Sequence, residues 1–130
     1  MPSIDLHFHS TYSDGLTPVS RLATQITEAG LTHCSLADHD TVAGVQKLQL
    51  SLGSGIVLIA ATELTVLYRG REIHLLAYDF DLGEMASALS YRKELITRQK
   101  ADEMSAGIKL FRKEGFWSPI LTQSPANLSA

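Results

Sequence analysis

A single cysteine, Cys34, stands in 130 residues, which excludes an internal disulfide and any cysteine-rich zinc site. That usage fits a reducing compartment, with Cys34 expected as a small buried residue on a strand. Positive charge is also scarce. Eleven Lys and Arg against 14 Asp and Glu leave a net charge of −3, which argues against a basic surface for nucleic acid. A phosphorylated substrate stays open, because bound divalent ions can dominate the local field. There is no long apolar run and no charged-then-apolar leader, so membrane insertion and secretion are not expected and the chain reads as cytoplasmic. A glycine-rich phosphate loop, a Ser-His-Asp or cysteine nucleophile arrangement, internal repeats and low-complexity segments are missing too. The remainder, 45% hydrophobic and 19% charged, is ordinary globular composition, long enough for one domain with a core of its own.

Against that plain background one stretch stands out: Ile4-Asp5-Leu6-His7-Phe8-His9-Ser10-Thr11-Tyr12-Ser13-Asp14-Gly15. Residues two apart on a strand share a face, so His7 and His9 present their imidazoles side by side. Two imidazoles on one pleat form a clamp for a metal and serve no apolar packing. Asp14, in a loop punctuated by Gly15, is near enough to add a hard oxygen ligand.

The rest of the chain reads as alternating strands and helices. Residues 1–8 are expected as a first strand, short and buried. Thr17-Pro18 reads as a helix cap with proline in the first turn, before the helical spacing of Val19, Leu22, Ala23, Ile26 and Ala29 and a stop at Gly30. A second strand spans 32–37 and ends abruptly at Asp38-His39-Asp40-Thr41, where Thr41 caps a helix through Leu52 that Gly53 and Gly55 break. The apolar run 56–61 has the character of a strand covered on both faces and ends at Thr62-Glu63. Residues 64–68 and 72–78 flank Arg69-Gly70-Arg71 as a hairpin, with His74 in its second arm. From Glu84 to about Glu114 the pattern is helical, with Met85, Leu89, Ile96, Met104, Ile108 and Phe111 on an apolar face and Gly115 as the stop. This order implies an α/β fold of parallel βαβ units, whose functional residues gather at the carboxyl ends of strands. His9, Asp14, His39 and Glu63 all fall there.

The candidate ligands are therefore His7, His9, Asp14, His39, Glu63 and His74. Six nitrogen and oxygen donors without a thiolate favour Mn²⁺, Zn²⁺ or Fe²⁺, and they are too many for one tetrahedral ion. A cluster with shared carboxylate bridges is expected. Asp5, Asp38 and Asp40 are candidates for orienting the imidazoles from behind, with capping or turn formation the competing role. His33 reads as structural. Arg92 and Arg98 offer guanidinium groups to a substrate phosphate, against the plainer reading of a solvated helix face.

Four motifs in order, His7-Phe8-His9-Ser10-X-X-Ser13-Asp14-Gly15, Ala37-Asp38-His39-Asp40-Thr41, Thr62-Glu63 and Ile73-His74-Leu75-Leu76-Ala77-Tyr78, resemble the PHP (polymerase and histidinol phosphatase) family. The Ser-Asp-Gly after the paired histidines is most similar to its small bacterial nucleotidase branch. The resemblance covers residues 2 to roughly 100. It implies a metal-dependent phosphoesterase acting on phosphate monoesters, nucleoside 3′,5′-bisphosphates or the 5′ end of a short RNA, with Mn²⁺ the foremost metal. Glu63 is then expected to bridge two ions, and the fold to be the N-terminal part of a distorted (β/α)7 barrel. The family pattern also carries a further histidine and a late Asp-X-His pair, whereas no histidine follows His74. The resemblance therefore implies an incomplete barrel over residues 1–115, a divergent tail over 116–130, impaired turnover and self-association through exposed barrel edges. An inactive remnant or binding protein lacking the late ligands is one alternative. A module related to those of DNA polymerases is another.

Overall fold

The computed structural model describes residues 1–113, with side chains through residue 106. Its elements are β1 (Ile4–Phe8), α1 (Val19–Glu28), β2 (His33–Leu36), α2 (Ala43–Ser51), β3 (Val57–Leu58), β4 (Ala61–Tyr68), β5 (Arg71–Tyr78) and α3 (Leu82–Lys113). One compact unit comprises Met1–Leu89, and a second begins at Ser90. No helix among the described residues is long and apolar enough to cross a membrane.

In the first unit, β1, β2 and β3 form a parallel sheet in that order, joined by α1 and α2 as βαβ crossovers. The central strand β2 is the most deeply placed, with Cys34, Leu36 and the following Ala37 fully buried. Val19, Ala23 and Ile26 of α1 and Val45 and Leu48 of α2 close over it as one apolar cluster. The helical spacing of α1 reaches the core as expected except at Ala29, which is exposed after the last turn. Gly30 follows with φ of 66°, a left-handed stop that a side chain would strain.

Several expectations are corrected. β1 is largely exposed rather than buried, because it is an outer strand of the sheet and has a neighbour on one side only. Thr17 does not cap α1. Pro18 holds that position in extended conformation, and its carbonyl accepts the first-turn N–H groups of Arg21 and Leu22. Thr41 does accept the N–H of Ala43, but the residue flanking α2 is Val42 and the helix ends at Ser51. The run 56–61 is not one strand covered on both faces. β3 is two residues long, and Val57 is 50% exposed. The chain leaves the sheet after Ile59, whose N–H still bonds to Cys34, and Ala61 already starts β4.

β4 and β5 form a separate antiparallel hairpin closed by Arg69-Gly70, both with positive φ (50° and 74°). Two left-handed residues give the turn whose twist matches its flanking strands. The hairpin is tied back to the parallel sheet where Tyr78 donates its hydroxyl proton to the Leu6 carbonyl at 2.9 Å. α3 begins at Leu82, earlier than expected, because Asp81 Oδ1 accepts the Glu84 N–H as a cap. In the second unit, Ile96 and Met104 of α3 are exposed rather than packed on an apolar face. The side chains of Ile108 and Phe111, and the expected stop at Gly115, lie outside the described residues.

Between β1 and α1 the chain turns so tightly that a Cβ on Gly15 would lie 2.5 Å from the His9 carbonyl oxygen and 2.8 Å from the Ser10 nitrogen. These are backbone atoms, so no rotamer change relieves the clash. Gly15→Ala should therefore cost about 1–3 kcal/mol of stability, read as a lower urea midpoint at unchanged slope. Gly53→Ala, with nothing within 4 Å of its Cβ, should be neutral or slightly stabilising. Equal losses in the two variants would rule out the close approach as the cause.

Candidate metal centre

Four chain segments bring the six candidate ligands together. His7 lies on β1 and His9 just past its end; Asp14 comes from the loop before α1. His39 follows β2, Glu63 lies on β4 and His74 on β5. In the hairpin, Glu63 pairs with Leu76 and Thr65 with His74, so Glu63 and His74 are diagonal neighbours across the ladder. β4 is fixed against the loop after β2 by a parallel bridge between His39 and Glu63. The Glu63 N–H donates to the Asp38 carbonyl at 3.1 Å, and the Asp40 N–H donates to the Glu63 carbonyl at 3.0 Å. The Thr62 hydroxyl lies within hydrogen-bond distance of the Asp38 and Thr41 carbonyls.

The carboxylate of Glu63 is the hub. Its Oε2 lies 3.0 Å from His7 Nε2, 3.2 Å from His9 Nε2 and 3.8 Å from His39 Nε2, while Oε1 lies 3.3 Å from His74 Nδ1. Asp14 joins the other side, 3.3 Å from His9 Nδ1 and 3.3 Å from His39 Nε2. Three overlapping groups, His7–His9–Glu63, His9–Asp14–His39 and His39–Glu63–His74, each hold their ligand atoms within 4.8 Å of one another.

Two details test whether this set suits a cation. His7 Nε2 and His9 Nε2 face each other at 3.2 Å. Only one of them can hold a proton there, so at least one lone pair points into the shared space. His9 Nδ1 is buried and makes no hydrogen bond, since Asp14 Oδ1 at 3.3 Å falls outside hydrogen-bond geometry. A buried nitrogen and a carboxylate this close without a hydrogen bond between them could both serve as ligands of one ion. The donor set fits a divalent metal.

The electrostatics agree in direction. Burial pushes the Glu63 carboxyl up, but His7, His39 and His9 outweigh it and hold the group below its ordinary value. At Asp14 desolvation likewise pushes up, and His9 and His39, with its own backbone N–H and the Ser13 hydroxyl, bring it down.

The aspartates expected behind the imidazoles reach the backbone that carries them instead. Asp5 accepts the His7 N–H, and Asp40 accepts the Thr65 N–H. Asp38, fully buried, accepts from the Ser10 N–H and from the hydroxyls of Ser10 and Ser13. His33 stays away from the cluster, its Nδ1 2.9 Å from the Thr32 hydroxyl. Arg92 and Arg98 belong to the second unit, where Arg98 pairs with Glu94 one turn back. Sequence reasoning passed over Glu72, whose Oε1 lies 3.5 Å from His74 Nε2. The signal was its position two residues before His74, on the same strand face.

No family model matches the chain. It is 37% identical over 78 residues to a 5′-3′ exoribonuclease of Haemophilus influenzae, an alignment covering 59% of this chain and 28% of that protein. It is 26% identical over 111 residues to a 3′,5′-nucleoside bisphosphate phosphatase of Chromobacterium violaceum, covering 84% and 39% respectively. A crystal structure from Bifidobacterium adolescentis, described as a metal-dependent phosphoesterase, superimposes with a TM-score of 0.58 at 29% identity. That superposition covers 69% of this chain and 32% of the other. These exoribonuclease, phosphatase and phosphoesterase relatives support the resemblance to the PHP family over part of the chain. The chain spans 28% and 39% of the lengths of these two curated relatives.

A carboxylate held low contributes stability above its ordinary value, and that contribution is lost as pH falls through the lowered one. The metal-free chain should therefore lose stability on acidification below about the ordinary carboxylate value of 4.5. Glu63→Gln, which removes the titrating group, should flatten that slope when unfolding midpoints are compared in steps of pH. An unchanged slope would place the acid sensitivity elsewhere.

Proposed function

We propose that this chain holds a divalent metal cluster for phosphate ester hydrolysis, with His7, His9, Asp14, His39, Glu63 and His74 as ligands. The observation that carries it is the single Glu63 carboxylate facing four imidazole nitrogens, with Asp14 closing the ring between two of them. Mn²⁺ is the preferred ion, with Zn²⁺ and Fe²⁺ the competitors for the same nitrogen and oxygen set. When bound, such ions neutralise phosphoryl oxygens, lower the pKa of a bound water and stabilise the leaving oxygen. The residues supply the frame. Glu63 offers its two oxygens to different imidazole groups, which suits a bridging carboxylate. Glu72 lies 3.5 Å from the far nitrogen of His74, placed to favour Nδ1 as the inward-facing nitrogen.

The substrate class we propose is a nucleotide, a phosphorylated small molecule or the 5′ end of a short RNA, supported by the named activities of the two curated relatives. The fold we propose is the N-terminal part of a distorted (β/α)7 barrel over residues 1–115; the sequence-divergent tail over 116–130 lies outside the described residues. The support for the barrel is the parallel β1-β2-β3 order, with the ligands of β1 and β2 near their carboxyl ends. Exposed Ile4 and Leu6 on the outer strand β1 support self-association through that edge.

Metal-free protein loaded with Mn²⁺ and desalted should retain at least one ion by elemental analysis. His39→Ala should weaken Mn²⁺ binding by well over tenfold, since it removes a ligand rather than an outer partner. Binding should also weaken as pH falls, because the ligating imidazole is the neutral form. Folded protein that retains no metal would overturn the proposal. Hydrolysis of p-nitrophenyl phosphate that depends on Mn²⁺ and is lost in Glu63→Gln would assign the reaction to this chain. Metal retention without turnover would assign it the metal site alone.

A further inference from the structure

We infer that Asp38 is a positioning residue for Asp14, acting through Ser10 and Ser13 and not through any imidazole, an inference that rests on the metal-site reading above. Asp38 Oδ1 accepts the Ser10 N–H at 2.7 Å and the Ser13 hydroxyl at 2.6 Å, and Oδ2 accepts the Ser10 hydroxyl at 2.6 Å. A fully buried carboxylate with three short donors is satisfied only while those donors stay in place. The donors are the two serines of the loop that carries Asp14.

Ser10 then organises the rest of that loop. Its hydroxyl accepts the Tyr12 N–H at 3.1 Å, and its carbonyl accepts the N–H groups of Ser13 and Gly15 at 3.1 and 3.0 Å. Asp14 sits between two of these tethered residues. It is itself exposed and would otherwise be free to swing into water. The Ser13 hydroxyl has one proton and gives it to Asp38 at 2.6 Å, so its 3.4 Å contact with Asp14 is the weaker. The pocket around Asp38 is shaped on its other side by Gly44, where a Cβ would lie 2.4 Å from Oδ2 and 3.1 Å from the Ser10 hydroxyl. The latch therefore joins the buried end of the central strand to an exposed ligand on a loop 24 residues earlier in the chain, with α2 as its wall.

The test is Mn²⁺ titration by calorimetry on the full metal-free chain. Ser13→Ala, at a partly exposed loop position, leaves the Ser10 bonds intact and should weaken binding about tenfold, with Ser13→Thr restoring it. Asp38→Asn should weaken it by about ten- to a hundredfold. The decisive comparison is with Asp14→Asn. If the latch works through Asp14, adding Ser13→Ala to Asp14→Asn costs less than about twofold more. Losses that multiply in the double variant, or a Ser13→Ala protein that binds like the wild type, overturn the inference while the metal site stands. If Asp38→Asn does not fold, the Ser13 series decides alone. Wild-type protein that binds no Mn²⁺ overturns both readings.

Discussion

A carboxylate ringed by imidazoles is costly to assemble, and the fold of the first unit answers to that cost. Imidazoles have no attraction that points their nitrogens at one another; each would keep its hydrogen bonds in water. Here rings stack or tilt at centroid separations of 4.7 to 5.2 Å around the Glu63 carboxylate. Desolvation works against the charge of Glu63 and of Asp14, and hydrogen bonds and the nearby imidazoles offset it. A divalent cation would supply positive charge at this point while leaving the imidazole lone pairs in use.

The route of the chain after β3 follows from this. An apolar run such as 56–61 favours a long strand covered on both faces, and sequence alone supports that expectation. The run is cut to two residues because Glu63 must bridge to His39, and the ladder cannot continue straight and also bring β4 under the loop after β2. Thr62, fully buried, takes up the backbone carbonyls of Asp38 and Thr41 at the crossing. The requirement for one carboxylate in one place overrides the local preference of six apolar residues.

What was legible in the sequence was what repeats locally. The alternation of His7 and His9, the helical spacing of Val19, Ala23 and Ile26, and the Arg69-Gly70 turn all have short-range signatures, and each matches the structure. The burial of β1 was not legible, because a strand's exposure depends on which strands lie beside it. Asp38 was singled out, but for the wrong contact. Its partners lie 25 and 28 residues away, and an aspartate beside a histidine gives no sign whether it faces the ring or a distant serine. Glu72 was missed for a simpler reason: a charged residue next to a hairpin turn reads as solvated surface.

The apolar cluster of α1, α2 and β2 and the polar cluster share one structural member, the central strand, and this decides where precision can be stored. Ligand positions must hold to within a fraction of an ångström, and exposed loops and outer strands cannot provide that alone. β1 has a neighbour on one side only, His74 is nearly half exposed, and Asp14 is more exposed still. β2 is flanked on both sides, and the residues at its end are fully buried. His39 and Asp38 issue from that end, one as a ligand and the other as the acceptor that fixes a loop. Glu63 is hydrogen-bonded to the same three-residue stretch. The rigidity of the apolar core thus reaches the site through residues 38–40, by way of backbone bonds to β4 and a buried carboxylate to the Asp14 loop. A site built partly from an outer strand, a hairpin and an exposed loop keeps its geometry because these are referred to the strongest strand.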